Sequence, residues 1–584
     1  MELAAIYHRS TDQFCYPLND DELIINIQTG YDVDHVFLYE GDPYLAGIMG
    51  GKEKWAGERM EIYYKKRLKN HIWWTTTVRP KYKRSKYYFE LHSGDEVLYY
   101  FEDGFYTEKE MNHEGKSLAL FQFPWMNGAD IFRTPDWVNE TIWYQIFPER
   151  FCNGDKSNDP EGVLPWKSEK ITDHRAYYGG DLQGIIDKVP YLRDLGITGL
   201  YLTPIFEANS NHKYNTKDYR KVDPAFGTNE TLRQLVDICH GAGIRVMLDG
   251  VFNHTGTDIP MWQDVMEKGQ DSEYADWYMI NEWPVTLGHD TKDGRFYSFA
   301  FSDQMPKLDT NHPAVQQYLL DIVQFWMEEF DIDGLRLDVG NEISHRFLKQ
   351  LRYMTKAKKP DFYLLGEIWH DSMDWLRGDE YDAVMNYPLS TAINNFWVFD
   401  DWKKEEFEYA INKSFTTYMQ QANDVLFNLL DSHDTDRLMH RLGNDLDVFY
   451  QQLAVLYAMP GSPCVFYGTE IAMEGAHDPD CRRCMPWDEI EAGIYDERIN
   501  ELRQLIALRK QHPAFRSRNF HFPNEVEDPR VIEFMKLCDE EVVRIVLNCG
   551  NNAVDVPVDV DKVLYRRKYE QGVLLPKGIL IYSE

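Results

Sequence analysis

The run Ile244-Arg-Val-Met-Leu-Asp-Gly-Val-Phe-Asn-His254 joins an apolar stretch to a polar end, Asp249 to His254. Three further runs repeat the arrangement: Asp333-Gly-Leu-Arg-Leu-Asp338, Phe362-Tyr-Leu-Leu-Gly-Glu-Ile-Trp-His370 and Val425-Leu-Phe-Asn-Leu-Leu-Asp-Ser-His-Asp434. Each reads as a short buried strand with a carboxylate or histidine just past its C-terminal end. In a barrel of parallel strands those ends all open onto one face, where the active site lies. Three acids arriving there beside Arg336, His254 and His433 point to acid/base chemistry. The chain reads as an enzyme.

Working outward, residues 137–503 alternate strand and helix patterns, as expected of βα units around a parallel sheet. Eight strand candidates appear: 141–147, 197–203, 244–250, 332–339, 362–369, 381–387, 424–430 and 462–468. Eight such units predict a TIM (β/α)8 barrel, an α/β fold. Helix candidates lie between them, and Asn311 is the expected N-cap of the one beginning at 312. Residues 255–310, rich in Trp, Tyr, Gly and Asp, are too long for a plain connection and predict an excursion domain walling the cleft.

The flanks are different. Residues 1–123 carry strand-like runs such as Leu23–Thr29 and Ile72–Val78 and predict an N-terminal β-sandwich, followed by a Pro/Gly-marked linker over 124–136. In that sandwich Trp73 and Trp74 face either a glucan or partner, or the core. Residues 504–584 return to strands and predict a smaller C-terminal β-sandwich.

At 584 residues the chain exceeds one core and should divide into about three or four domains. It carries 62 basic against 96 acidic residues, a net charge of −34. That excess repels phosphate backbones and anionic lipid, so neither nucleic acid nor a membrane is an expected partner. The first residues lack a basic start followed by an apolar core, and no 18-residue apolar run exists, so a cytoplasmic location is expected. The eight cysteines do not form a disulfide framework. Cys481-Arg-Arg-Cys484 stands alone, without the second pair of ligands a zinc site needs.

Taken together, the four segments resemble glycoside hydrolase family 13, the α-amylase family, in order and position. Met305-Pro-Lys-Leu-Asp309, Asn341-Glu342, Gly366–His370 and Met385-Asn-Tyr-Pro388 look like the branch holding cyclomaltodextrinases, neopullulanases and maltogenic amylases. Three positions depart from that branch. Gly340 stands where alanine is usual, Asp309 where asparagine is common, and Asn215 where aspartate is usual.

The resemblance implies a retaining hydrolase of α-1,4-glucosidic bonds in cyclodextrins and maltooligosaccharides, with pullulan and starch as further candidates and transglycosylation as a side activity. A predominant transglycosylase, an open-cleft α-amylase and a non-catalytic carbohydrate-binding member of the fold remain alternatives. Asp338 would be the nucleophile, Glu367 the acid/base, and Asp434 the third acid. Arg336 beside Asp338 is expected to hold it ionised, and an apolar setting to favour the protonated form of Glu367. Arg336, His254, His433 and Tyr214 would bind sugar nearest the reacting carbon. Trp369, His370 and Glu342 would act on the leaving-group side. The resemblance also implies a structural Ca2+ held by Asn153, Asp155, Asn158, Asp159, Gly179 and Asp181, oxygen donors suited to a hard cation. The alternative for that run is a plain polar turn. Finally, it implies a homodimer built through the N-terminal domain.

Any one of these residues has a simpler role available, as a turn, a cap or a salt-bridge partner. All six core residues as mere structure would require buried charges with no return, which is costly.

Overall fold

The computed structural model describes residues 1–47, 55–114, 116–399 and 401–584. Eight parallel strands form the central sheet: β1 (Trp143–Ile146), β2 (Gly199–Leu202), β3 (Arg245–Gly250), β4 (Gly334–Leu337), β5 (Tyr363–Gly366), β6 (Ala383–Val384), β7 (Phe427–Asn428) and β8 (Ser462–Phe466). Their order is β6-β5-β4-β3-β2-β1-β8-β7. A parallel bridge between Met385 and Phe427 joins the two ends. The predicted TIM barrel is therefore present, each strand inside its expected run.

Short strands suffice because both faces are buried. Leu335 and Leu337 point out to the helices, while Arg336 points into the lumen. Aromatic side chains fill the lumen: Trp143 lies 6.0 Å from Tyr363 and 5.8 Å from Phe427, ring centre to ring centre. Helices sheathe the strands, each started by local chemistry. Asp181 accepts the N–H of Gly184 (2.6 Å) to open Leu182–Leu195, which stops at Gly196 in the left-handed region (φ 101°). The helix Pro313–Phe330 begins one residue later than expected, because Pro313 occupies its first turn and makes His312 the cap. Asn311 instead accepts a hydrogen bond from the Ser344 hydroxyl (2.7 Å).

The excursion after β3 is largely irregular. It holds one helix, Pro260–Lys268, and a ladder of isolated antiparallel bridges that ties His254 to Lys307 and Tyr278 to Leu308. Trp262 packs against Tyr278 and Phe296 at its core.

The N-terminal domain is a sandwich of a four-stranded and a six-stranded antiparallel sheet. Trp74 lies in its core and donates to the Thr29 hydroxyl (2.8 Å). Trp73, on the opposite face, packs on Phe14 and Leu68. Both indoles are buried: Trp74 packs in the core, as expected for at least one of the pair, and Trp73 lies on the other face at the edge of an interdomain cavity. The last barrel-side helix, Asp496–Gln511, runs past residue 503 and ends just before Pro513. Beyond it the C-terminal strands form one six-stranded antiparallel sheet. Its long last strand, Val573–Ser583, pairs along both edges. Among the described residues no helix is long and apolar enough to cross a membrane.

Candidate active site

Parallel pairing sets the geometry. Asp249 sits opposite Arg336 in the β3–β4 register, and Leu337 opposite Gly366 in β4–β5. The residues just beyond, Asp338 and Glu367, therefore emerge side by side at the C-terminal face.

Arg336 is fully buried and is the hub. Its Nη1 donates to both oxygens of Asp249 (2.9 Å each) and to Asp338 Oδ1 (3.0 Å). Its Nη2 lies 3.0 Å from Glu367 Oε2, an ion pair bent too far for a hydrogen bond. One guanidinium thus serves three carboxylates. Asp249 is further held by the hydroxyls of Tyr201 (2.7 Å) and Tyr214 (3.1 Å) and lies fully inside the protein.

That arrangement corrects the expected electrostatics. Burial pushes the Asp338 carboxyl well above the usual carboxylate range. Arg336 pulls it down, but Glu367 and Asp249 push it up again. Burial likewise lifts Asp249. A single positive charge cannot offset its carboxylate neighbours in a water-poor site, so Asp249 and Asp338 both hold their protons more tightly than a free aspartate. The setting of Glu367 is also not the apolar one expected. Oε2 accepts the Val339 N–H (2.9 Å) and Oε1 the Trp369 indole N–H (3.1 Å). Val339 reaches it through a left-handed backbone (φ 47°, ψ 47°), a strained conformation for a β-branched residue. Gly340 follows, and its N–H bonds the Glu367 carbonyl (2.9 Å). A Cβ on Gly340 would lie 2.9 Å from the Tyr381 hydroxyl, so alanine there requires Tyr381 to shift.

The acids open into a cavity of about 440 Å³. Asp338, Glu367, Asp434, His254, Tyr214 and Trp369 stand on its wall. Trp369 is half exposed and stacks flat on Tyr387, 3.7 Å between ring centres at 9°. Burial takes His254 down to about 3, so the ring is neutral. Asn253 Nδ2 lies 3.3 Å from its Nδ1, which makes Nδ1 the acceptor and leaves an N–H on Nε2. Among the described residues that Nε2 has no partner, so it is free to donate to a ligand.

His433 lies behind the wall rather than on it. Gln145 Nε2 donates to its Nδ1 (2.7 Å), and its Nε2 meets the Tyr214 hydroxyl (2.6 Å) and Asp434 Oδ2 (3.1 Å). Burial keeps it neutral, with the nearby Arg482 and Arg336 acting the same way. It therefore orients Tyr214 and Asp434. Three more expected residues also stand off the wall. Arg336 is fully buried and reaches the cavity only through the carboxylates it holds, so it positions them and does not touch sugar. His370 is exposed and bonds the Asp371 carbonyl (2.9 Å). Glu342 pairs with Lys307 (3.0 Å), half exposed. The departure at Asn215 binds the Ser210 hydroxyl, also off the wall.

Sequence reasoning gave no site role to several wall residues, among them His212, Phe299, Asp478 and Arg482. Arg482 matters most. It reaches Asp434 Oδ1 (3.4 Å) and Asp478 Oδ1 (3.0 Å), and its Nε donates to the His433 carbonyl (2.9 Å). It lies inside Cys481-Arg-Arg-Cys484, a run whose arginines carry no pattern in the sequence that marks them as buried.

A second polar cluster lies at the end of the loop after β1. Asn153 Nδ2 donates to Asp159 Oδ1 (2.7 Å), and Asn158 Nδ2 to Asp181 Oδ2 (3.2 Å). The amide oxygens Asn153 Oδ1 and Asn158 Oδ1 are buried and, among the described residues, without partners. A Cβ on Gly179 would fall 2.3 Å from Asp159 Oδ1 and 2.5 Å from Asn153 Nδ2, so only glycine fits against them. Asp181 spends its carboxylate on the N–H groups of Gly154, Asp155 and Gly184. Asp155 bonds Ser157 instead of turning inward. Among the described residues no group of three His, Cys, Asp or Glu side chains is placed to hold a metal. Any cation here would rest on amide and backbone oxygens plus Asp159.

With the geometry in view, comparison with known proteins is direct. Residues 145–512 match the α-amylase catalytic domain, and residues 1–127 the α-amylase N-terminal Ig-like domain. The chain belongs to the α-amylase family. A cyclomaltodextrinase from Geobacillus thermopakistaniensis (strain MAS1) is 45% identical over 562 residues, covering 96% of this chain and 93% of that protein. An intracellular maltogenic amylase from Bacillus subtilis (strain 168) is 42% identical over 556 residues, covering 94% and 92% respectively. A solved cyclomaltodextrinase structure superimposes with a TM-score of 0.88 at 38% identity, covering 100% of this chain and 98% of that one.

The electrostatics carry a test. A reaction that uses ionised Asp338 loses rate as pH falls through its raised pKa. The acid limb of log(kcat/KM) should therefore break above 3.8, the ordinary aspartate value. A break at or below that value contradicts the shared-guanidinium geometry.

Proposed function

We propose that this chain is a retaining hydrolase of α-1,4-glucosidic bonds in cyclodextrins and maltooligosaccharides, extending to pullulan and starch, with transglycosylation as a side activity. The observation that carries the reading is the Arg336 hub, which brings Asp338 and Glu367 together at the mouth of one cavity. The relatives named for cyclodextrin and maltose chemistry support the substrate class.

The steps follow from the contacts. Arg336 holds Asp338 Oδ1, and among the described residues Oδ2 takes no hydrogen bond, which leaves it open to a sugar C1. Oδ2 attacks C1 as the C1–O4 bond breaks, and the Glu367 proton passes to the departing O4. The product is a glucosyl ester on Asp338. Water then attacks C1 while Glu367 recovers a proton from it, the ester bond breaks, and Asp338 leaves as carboxylate. A sugar hydroxyl in place of water gives transfer instead. Asp434, fixed by His433 and Arg482, accepts hydroxyls of the distorted ring, and the His254 N–H donates to another. Trp369 offers an aromatic face beside Glu367 for the leaving sugar.

We further propose a structural Ca2+ at the second cluster. The two unpartnered amide oxygens of Asn153 and Asn158, with Asp159 and the glycine-only approach of Gly179, fit a hard cation. Asp155 and Asp181 would join by backbone or after rearrangement. The ion would brace the loop and stand outside the chemistry. The N-terminal sandwich is the proposed dimer surface, and the cytoplasm the proposed location, in keeping with the relative named as intracellular.

Three outcomes are expected. β-Cyclodextrin is cleaved faster than soluble starch or pullulan, and Asp338→Asn lowers kcat by at least about 10⁴-fold; full activity in that variant would sink the mechanism. Chelation lowers Tm, added Ca2+ restores it, and Asp159→Ala abolishes the response while keeping the same chelated Tm. Light scattering at working concentration gives twice the 68.9 kDa chain mass; a monomeric mass removes the dimer.

A further inference from the structure

A second cavity, of about 420 Å³, lies away from the catalytic face. It sits where the four-stranded sheet of the N-terminal domain meets residues 415–423 of the barrel and residues 518–519 of the C-terminal domain. Alternation along the strands dictates its floor. Leu23, Ile25 and Trp74 turn into the sandwich core, so Asn26, Trp73, Thr75 and Lys66 turn the other way. The floor is therefore aromatic and neutral-polar with one cation.

That cation is unusual. Lys66 is only 9% exposed. Among the described residues its ammonium has neither a hydrogen-bond acceptor nor a salt-bridge partner within reach, and it rests 3.3 Å over the Phe520 ring. Its nearest carboxylate influence, Glu408, is already engaged by Arg67 (3.4 Å) and Asn524 (3.0 Å). Other deeply buried cations do better: Lys213 pairs with Asp223, Lys536 donates to the Ser517 carbonyl, and Arg509 to several carbonyls. A buried ammonium without an anion is costly: burial drives Lys66 down to about 7, so near neutral pH it is only partly charged, and an anion bound against it would hold the proton in place.

Two acceptors at the same wall are also unmatched. Asn423 is 2% exposed. It donates its amide N–H groups to the carbonyls of Phe415 and Tyr418 (3.1 Å each), which fixes its Oδ1 as the atom left without a partner. Asn26, 4% exposed, donates to the Gln13 carbonyl (2.5 Å) and leaves its own Oδ1 unmatched. Glu61 also lines the cavity, but its carboxylate is taken by His35 (2.8 Å) and the Tyr63 hydroxyl (2.8 Å). Arg518 is paired with Asp424 (2.9 Å).

We propose that this cavity is a binding site for an anionic monosaccharide. An oxyanion would meet Lys66, and ring hydroxyls would donate to Asn26 and Asn423 against the Trp73 face. The unmatched groups define the ligand by complement: a free cation calls for an anion, and free acceptors call for hydroxyl donors. The volume exceeds what a bare ion needs. The site stands apart from the catalytic cleft and does not depend on the proposed reaction.

Calorimetric titration of the full-length protein tests it with four probes: glucose 6-phosphate, glucuronate, glucose and inorganic phosphate. Either anionic sugar is expected to bind one per chain, at least about tenfold tighter than glucose and than inorganic phosphate. Lys66→Met keeps the stem and removes the charge, and should weaken that binding at least about tenfold. Thr75→Phe, which fills the cavity from the sheet side, should do the same through a different residue. Absence of binding by both anionic sugars at millimolar concentration overturns the proposal. So does glucose binding as tightly as they do, inorganic phosphate matching them, or affinity unchanged in both variants.

Discussion

The fully buried guanidinium of Arg336 is the interaction on which the rest of the site depends. Three carboxylates from three successive strands converge on it, and among the described residues no other buried cation touches them. Removing it would leave like charges packed against one another in a medium that screens poorly. The hub also explains the second layer. Tyr201 and Tyr214 hold Asp249, His433 holds Tyr214, and Gln145 fixes the tautomer of His433. From Gln145 on β1 to Asp338 past β4, one hydrogen-bonded chain spans the lumen.

The same interaction accounts for what sequence reading gained and lost. The barrel was legible because buried parallel strands announce themselves as apolar runs, and because Asp338 and Glu367 each lie one residue past a strand end. Arg336, two residues before Asp338, was placed correctly by period-two alternation alone. What failed was the sign of a competition. Proximity of Arg336 to Asp338 argued for a depressed carboxyl. It could not show that Asp249 and Glu367 draw on the same guanidinium while burial opposes ionisation. Tertiary sharing of a charge has no signature in a linear pattern.

Distance from a strand end did not decide which subsite candidates line the cavity. Tyr214, His254 and Trp369 reach the cavity wall, while His370, one residue beyond Trp369, turns to solvent. His433 shows a different limit: its neighbour Asp434 lines the cavity, but the ring itself turns inward to Gln145. Arg482 was missed because no pattern in its run marks it as buried. The N-terminal tryptophans were ambiguous for a physical reason too, since both sugar platforms and sandwich cores select indoles. The cap at Asn311 was misplaced although Pro313, with its fixed φ, was in plain view.

The crowding of carboxylates around one guanidinium has a consequence for selection. Asp249, Asp338 and Glu367 crowd one guanidinium with Asp434 beside them, so carboxyl groups outnumber guanidinium groups at the cleft, within a chain of net charge −34. A phosphate or sulfate group entering it would meet repulsion on the order of a few kcal/mol at a separation of about 4 Å. The catalytic mouth is thus an electrostatic sieve as well as a machine for bond cleavage. A mouth so lined favours an uncharged polysaccharide over its charged derivatives before any hydroxyl is read.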